Sequence, residues 1–116
     1  MWALCALYSM KKILFVCSQN KLRSPTGEAV FASDPELDVR SAGLNNDAEV
    51  PLGAEDVKWA DIIFVMEQAH KKKLRKRYKD VLKSQRVVCL GIPDDYEYMD
   101  QKLIDILKKN VPQFIN

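Results

Sequence analysis

Four short apolar runs, each handing off to a helix-patterned stretch, constrain this chain more than any other feature. The runs fall at residues 13–17, 37–42, 62–66 and 87–90, and the helix-like stretches at 25–32, 54–60, 67–83 and 100–109. The first, third and fourth runs are nearly continuous, the pattern of strands covered on both faces. The last stretch carries Leu103, Ile104, Ile106, Leu107 and Val111 as a helical stripe. Strand–helix alternation predicts βαβ units and a parallel sheet. Right-handed crossovers then give an α/β fold, a small doubly wound three-layer sandwich. The expected sheet has four parallel strands, in the order 2-1-3-4. A chain of 116 residues supports one such core, since two would each be marginal. Residues 43–53 read as a plain connecting loop.

The domain is expected to span residues 10–116. Residues 1–9, the start of MWALCALYSM, read as an N-terminal extension ahead of the first strand. That segment lacks a charged start and falls far short of the ~20 apolar residues of a membrane span, so no membrane partner is expected. One histidine and three scattered cysteines leave no pair at metal-ligand spacing, so neither a metal nor another cofactor is expected. The odd, widely spaced cysteines also favour a reducing compartment, the cytoplasm, over a disulfide framework.

In doubly wound sheets, ligands bind beyond the carboxyl ends of the strands. The segment after the first strand reads Cys17-Ser18-Gln19-Asn20-Lys21-Leu22-Arg23-Ser24-Pro25, a Cys-x5-Arg-Ser sequence that runs into a helix. A loop of this length can converge its backbone N–H groups on one point, where a helix N-terminus adds its own unpaired donors. Ser24 suits the cap and Pro25 the first helical position. A tetrahedral anion fits such a bowl. Ser18, Gln19, Asn20, Lys21, Leu22 and Ser24 form its wall, and Arg23 can close it with a bidentate grip on two oxygens. Cys17 lies at the bottom, in surroundings that favour the thiolate, and faces the phosphorus of a bound phosphate ester. Asn20 tolerates a left-handed backbone, and Ser24 can donate its hydroxyl to the sulfur.

Transfer of a phosphoryl group to sulfur needs a proton for the leaving oxygen. Asp94 and Asp95 follow the fourth strand through Gly91-Ile92-Pro93, over the same edge of the sheet. Either can supply that proton and later take one from water. Tyr96 and Tyr98 offer a wall for an aromatic leaving group.

With these residues in place, the chain resembles the low-molecular-weight protein tyrosine phosphatase family over roughly residues 11–110. The matching parts are Phe15-Val16-Cys17 with Asn20, Arg23-Ser24-Pro25 and Glu28; Ser41-Ala42-Gly43; Ala60-Asp61-Ile62 leading to Met66; and Ile92-Pro93-Asp94-Asp95-Tyr96. The resemblance implies a phosphomonoesterase acting on aryl phosphates such as phosphotyrosine. It implies Cys17 as nucleophile, Arg23 as phosphate clamp, Asp94 as general acid, and Asn20 and Ser24 as loop supports. The chain departs from the family at several points. Leu22 stands where many members carry a second cysteine, Gly27 where alanine is usual, and Asp95 where proline is usual. The histidine that supports the loop in some members has no evident counterpart, and His70 reads as an ordinary helix residue.

Residues 70–83 hold eight Lys or Arg and one Asp. Leu74, Tyr78, Val81 and Leu82 supply a buried face for this helix, and the charges then form a solvated face, steer anionic substrates or dock an acidic partner. No aromatics interleave with the charges, so nucleic acid is not the expected partner. The expected substrate is a phosphorylated protein or a small phosphate ester. Two other classes stay open: a non-catalytic module that binds phosphorylated ligands, and a thioredoxin-coupled arsenate reductase, which shares the Cys-x5-Arg loop but needs further cysteines.

Overall fold

Strand β1 (Lys11–Cys17) lies between β2 (Leu37–Gly43) and β3 (Ile62–Val65), and β4 (Arg86–Cys89) pairs with the far side of β3. All three pairings are parallel, giving the expected order β2-β1-β3-β4. The computed structural model describes residues 11–115, so the expectation for residues 1–9 lies outside the described residues. Helices α1 (Arg23–Phe31), α2 (Ala54–Trp59), α3 (Gln68–Arg77), α4 (Gln101–Asn110) and α5 (Pro112–Ile115) complete the described elements. No helix among the described residues is long and apolar enough to cross a membrane.

Alternation along β1 builds the two cores. Ile13, Phe15 and Cys17 face one way and join Phe31 of α1, Phe64 and Met66, and Leu103 and Leu107 of α4. Leu14 and Val16 face the other way and join Val57 of α2, Ile63 and Val65, and Leu74 of α3. One face of the sheet is thus covered by α1, α4 and the short α5, the other by α2 and α3, and β1 is fully buried from Ile13 to Val16. Full burial on both faces is why its sequence shows no polar alternation. The odd-numbered register also turns Cys17 toward the α1 layer, beneath the N-terminus of that helix.

Several boundaries differ from the sequence reading, for physical reasons. β1 begins at Lys11, because pairing of Lys11 with Leu37 is a backbone event that side-chain hydropathy does not report. β4 is an edge strand and only half-buried, not covered on both faces as expected. α3 stops at Arg77, since Tyr78 leaves helical geometry at φ −111° and ψ 27°. Val81 and Leu82 still pack on the α2/α3 side of the sheet, but from turns rather than from the helix. α1 starts two residues before Pro25. Leu22 occupies the cap position without a side-chain bond, and Pro25 sits third in the helix, where its missing N–H still costs nothing.

Gly27 has a packing reason. A Cβ there would lie 2.8 Å from two ring atoms of Phe15. That ring cannot retreat, because it stacks on Phe31 at 5.9 Å and Phe64 at 5.4 Å between centroids. Gly27→Ala should therefore destabilise the fold. The overpacking cost, about 1–3 kcal/mol, outweighs the ~1 kcal/mol gained by helix propensity. Urea denaturation of the two proteins measures the difference; a more stable variant would contradict the packing.

Candidate functional site

The loop from Ser18 to Leu22 curls at the carboxyl end of β1 because its carbonyl groups are tied outward. Leu44 N–H donates to the Cys17 carbonyl at 2.9 Å, Asn45 N–H to that of Ser18 at 3.0 Å, and Glu49 N–H to that of Gln19 at 2.9 Å. In a trans peptide the C=O and the following N–H point in opposite directions. Securing these three carbonyls therefore turns the N–H groups of Ser18, Gln19 and Asn20 inward. Asn20 N–H reaches the Cys17 Sγ at 3.3 Å. Asn20 takes the left-handed conformation anticipated for it, with φ 57°.

Residues 43–53 are thus not a plain connection. They form the bracket that shapes the loop, and the bracket is itself held. Arg77 donates to the Leu44 carbonyl at 2.6 Å, and the Tyr78 hydroxyl donates to that of Leu52 at 2.9 Å. Gly43 is where bracket and loop touch. A Cβ at Gly43 would lie 2.5 Å from the Ala48 Cβ and 2.7 Å from the Ser18 carbonyl oxygen, so only glycine fits.

Cys17 is 4 % exposed and its sulfur has a built environment. Ser24 Oγ lies 2.9 Å from Sγ, and Asn20 Nδ2 donates to Ser24 Oγ at 2.9 Å. With its lone pair engaged by Asn20, the Ser24 hydroxyl is oriented to donate to sulfur. Ser24 does not cap α1 as expected; its side chain is committed to Cys17 instead.

Arg23 is buried, and its Nη1 donates to a Glu67 carboxylate oxygen and to the Ile92 carbonyl at 2.7 Å. Those two bonds use both Nη1 hydrogens. Among the described residues the Nε–H and Nη2 edge makes no hydrogen bond, although the Asp94 carboxylate stands 3.7 Å from Nε, and its geometry suits a bidentate bond to an oxyanion. Glu67 was not singled out from the sequence. Its pKa is lowered, first by the hydrogen bond from Arg23.

His70 reverses the sequence reading. It is buried, its Nε2 lies 2.9 Å from Ser18 Oγ, and Glu67 N–H donates to its Nδ1 at 3.2 Å. An accepting Nδ1 places the proton of the neutral ring on Nε2, which then donates to Ser18. A histidine in the first turn of α3 therefore hydrogen-bonds the loop at Ser18. Burial, then the nearby Arg23 charge, lower its pKa below the usual histidine value.

A cavity of about 230 Å³ opens above Cys17, lined by Ser18, Gln19, Lys21, Leu22, Arg23 and Asp94. Asp94 Oδ1 stands 3.7 Å from Arg23 Nε, and its side chain is 68 % exposed. The segment carrying it is pinned by Ile92 N–H to the Met66 carbonyl at 2.8 Å and by Met99 N–H to Thr26 Oγ1 at 2.9 Å. Asp95 is not part of the lining. Tyr96 packs against the α1/α4 core instead of lining the cavity, and Tyr98 borders a neighbouring groove with Lys21, Pro25 and Val50. Among the described residues, no group of three or more His, Cys, Asp or Glu could hold a metal ion.

A parallel β2-β1-β3-β4 sheet with helices on both faces is the fold of the low-molecular-weight protein tyrosine phosphatases. YwlE arginine phosphatase from Geobacillus stearothermophilus aligns over 90 % of this chain and 93 % of its own, with 19 % identity and a TM-score of 0.72. The low-molecular-weight protein tyrosine phosphatase SP-PTP from Streptococcus pyogenes aligns over 92 % and 95 %, with 18 % identity and a TM-score of 0.76. The tyrosine phosphatase Wzb from Escherichia coli K30, in complex with phosphate, aligns over 90 % and 96 %, with 19 % identity and a TM-score of 0.70. At these identities the likeness is one of fold. No protein-family model and no curated protein sequence matches the chain.

The buried neutral His70 makes stability depend on pH. The unfolded chain protonates this histidine near 6.5, the native state only at lower pH. Between the two values the unfolded state holds more protons, so stability falls as pH drops. Urea midpoints at pH 7.5 and 5.5 should show this loss in the wild type and a smaller one in His70→Gln. Equal losses would mean that His70 is not held neutral against Ser18.

Proposed function

We propose that this protein is a phosphatase that hydrolyses phosphate monoesters, aryl esters among them, through a cysteinyl-phosphate. The observation that carries the reading is the convergence on one cavity of the Cys17 sulfur, inward N–H groups and the free edge of Arg23. Three equatorial phosphate oxygens match that donor set in shape and charge. The shared fold supports the same reading, since the proteins compared above are named as phosphatases.

In the first step the Cys17 thiolate attacks phosphorus, forming the S–P bond as the P–O bond to the leaving group breaks. Asp94 gives its proton to the departing oxygen. Arg23 and the amides of residues 18–24 hold the transferring group, and the Ser24 hydroxyl stabilises the sulfur when it is again a leaving group. In the second step Asp94 takes a proton from water, whose oxygen attacks phosphorus. The S–P bond breaks, the thiolate returns and inorganic phosphate leaves. Ser18, supported by His70, with Gln19, Asn20, Lys21 and Leu22, forms the binding loop. Tyr96 contributes through the packing of the acid-bearing segment.

Lys21 bears on the substrate. A lysine at the lip of the cavity repels a phosphorylated guanidinium and favours neutral or acidic esters. Hydrolysis of 4-nitrophenyl phosphate should therefore exceed that of phosphoarginine, and Lys21→Thr should narrow the ratio. A wild-type preference for phosphoarginine would reject the ester assignment.

Cys17→Ser should abolish turnover while still binding inorganic phosphate or vanadate. Asp94→Asn should slow turnover by about 10²-fold or more, and most for esters with poor leaving groups. A slowing by Asp95→Asn in place of Asp94→Asn would move the acid role to Asp95. Binding without turnover in the wild type would leave a phospho-ligand module.

A further inference from the structure

Helix α3 begins one residue after Glu67, the partner of Arg23, and its one buried leucine, Leu74, packs on the sheet. Its remaining surface is cationic. Lys71 and Arg75, Lys72 and Lys76, and Lys73 and Arg77 all stand four residues apart within the helix. Spacing of this kind sets like charges side by side on a helix and destabilises it. Among the described residues no salt bridge or side-chain hydrogen bond involves Lys71, Lys72, Lys73, Arg75, Lys76 or Lys79. The chain carries a net charge of +2, so this concentration is local rather than general. The charge has a structural use only at Arg77, which holds the bracket.

Lys71, Lys72 and Arg75 line a surface hollow of about 540 Å³ together with Gln68 and Ala69. Gln68 also borders the adjoining hollow that contains Glu67 and Ile92, both partners of Arg23. A continuous surface therefore leads from the basic helix to the rear of the phosphate site.

We propose that the exposed face of α3 is a docking surface for an acidic peptide segment of the phosphorylated protein substrate. The docking rests on charge complementarity; the delivery of a phosphate to Cys17 rests on the phosphatase reading. From Lys71 to Arg77, the end of the helix, the rise is ~9 Å, the length of about three residues of extended peptide. Two or three Asp or Glu within such a stretch would meet the Lys71, Lys72 and Arg75 row. Chemistry on the helix favours peptide over the other polyanions. No exposed aromatic side chain lies within α3 for a nucleobase to stack on, and no exposed apolar side chain larger than Ala69 is there to enter a lipid surface.

The test uses the whole chain, with fluorescently labelled unphosphorylated peptides, one rich in Glu and Asp and one with Gln and Asn in their place. The acidic peptide should bind saturably, and should weaken as salt shortens the Debye length from ~10 Å at 0.1 M to ~3 Å at 1 M. Lys71→Glu/Lys72→Glu/Arg75→Glu should weaken that binding about tenfold or more while hydrolysis of 4-nitrophenyl phosphate is unchanged. Thermal melting confirms that the variant folds, and the Gln triple replaces it should the reversal fail to fold. Acidic residues flanking a phosphotyrosine should raise kcat/KM in the wild type and lose that advantage in the triple variant.

Equal binding of acidic and neutral peptides, or no effect of the triple substitution, would overturn the proposal. So would tighter binding of single-stranded RNA or of phosphatidylserine vesicles than of the acidic peptide. The peptide measurement needs no turnover, so inactivity toward 4-nitrophenyl phosphate would count against the phosphatase reading and leave the docking result standing.

Discussion

Three hydrogen bonds between the Leu44, Asn45 and Glu49 amides and the carbonyls of Cys17, Ser18 and Gln19 hold the rest of the site in place. The backbone after a strand has no reason of its own to aim its N–H groups at a single point. Such convergence gathers positive dipole ends and leaves the carbonyls to find partners elsewhere. The bracket provides those partners, and rigid peptide planes do the rest. Gly43 makes the approach possible, since any side chain there would push loop and bracket apart.

From that arrangement follows the division of labour around the cavity. The sheet places Cys17 on the α1 side, and α1 returns Ser24 and Arg23 to it within a few residues. Arg23 reaches across to the next crossover, where Glu67 and the Ile92 carbonyl fix half of its guanidinium. Fixing that half leaves the other edge oriented, so little rotamer freedom is lost when an oxyanion arrives. The loop, the start of α3 and the segment carrying Asp94 are thereby joined through one buried arginine. The Arg23 hydrogen bond lowers the pKa of Glu67 and so favours its charged form opposite the guanidinium.

The strand–helix alternation and the loop that follows β1 were legible in the sequence because both depend on local signals. β1 is a run of apolar residues ended by Cys-x5-Arg-Ser, and each later strand repeats the strand-to-helix pattern. His70 and Glu67 were not legible. Their role depends on a crossover that brings residues about fifty positions apart into contact, and a histidine amid lysines carries no mark of it. The bracket was missed for a related reason: it acts through backbone amides, so Asn45 and Glu49 could be many other residues and do the same work. Ser24 shows a local rule overridden. A serine before proline at a helix start is a good cap, yet the sulfur beside it offers a use that the helix does not.

The proposed oxyanion site over Cys17 joins the inward amides of Ser18, Gln19 and Asn20 to the Nε–H and Nη2 edge of Arg23. Backbone and arginine ¹H–¹⁵N spectra recorded while inorganic phosphate is titrated into the wild-type protein test it most directly. The account predicts one saturable set of shifts at Ser18, Gln19, Asn20, Lys21 and the Arg23 Nε, absent when chloride replaces phosphate at equal ionic strength. Shifts confined to the α3 lysines, or none that saturate, would contradict it.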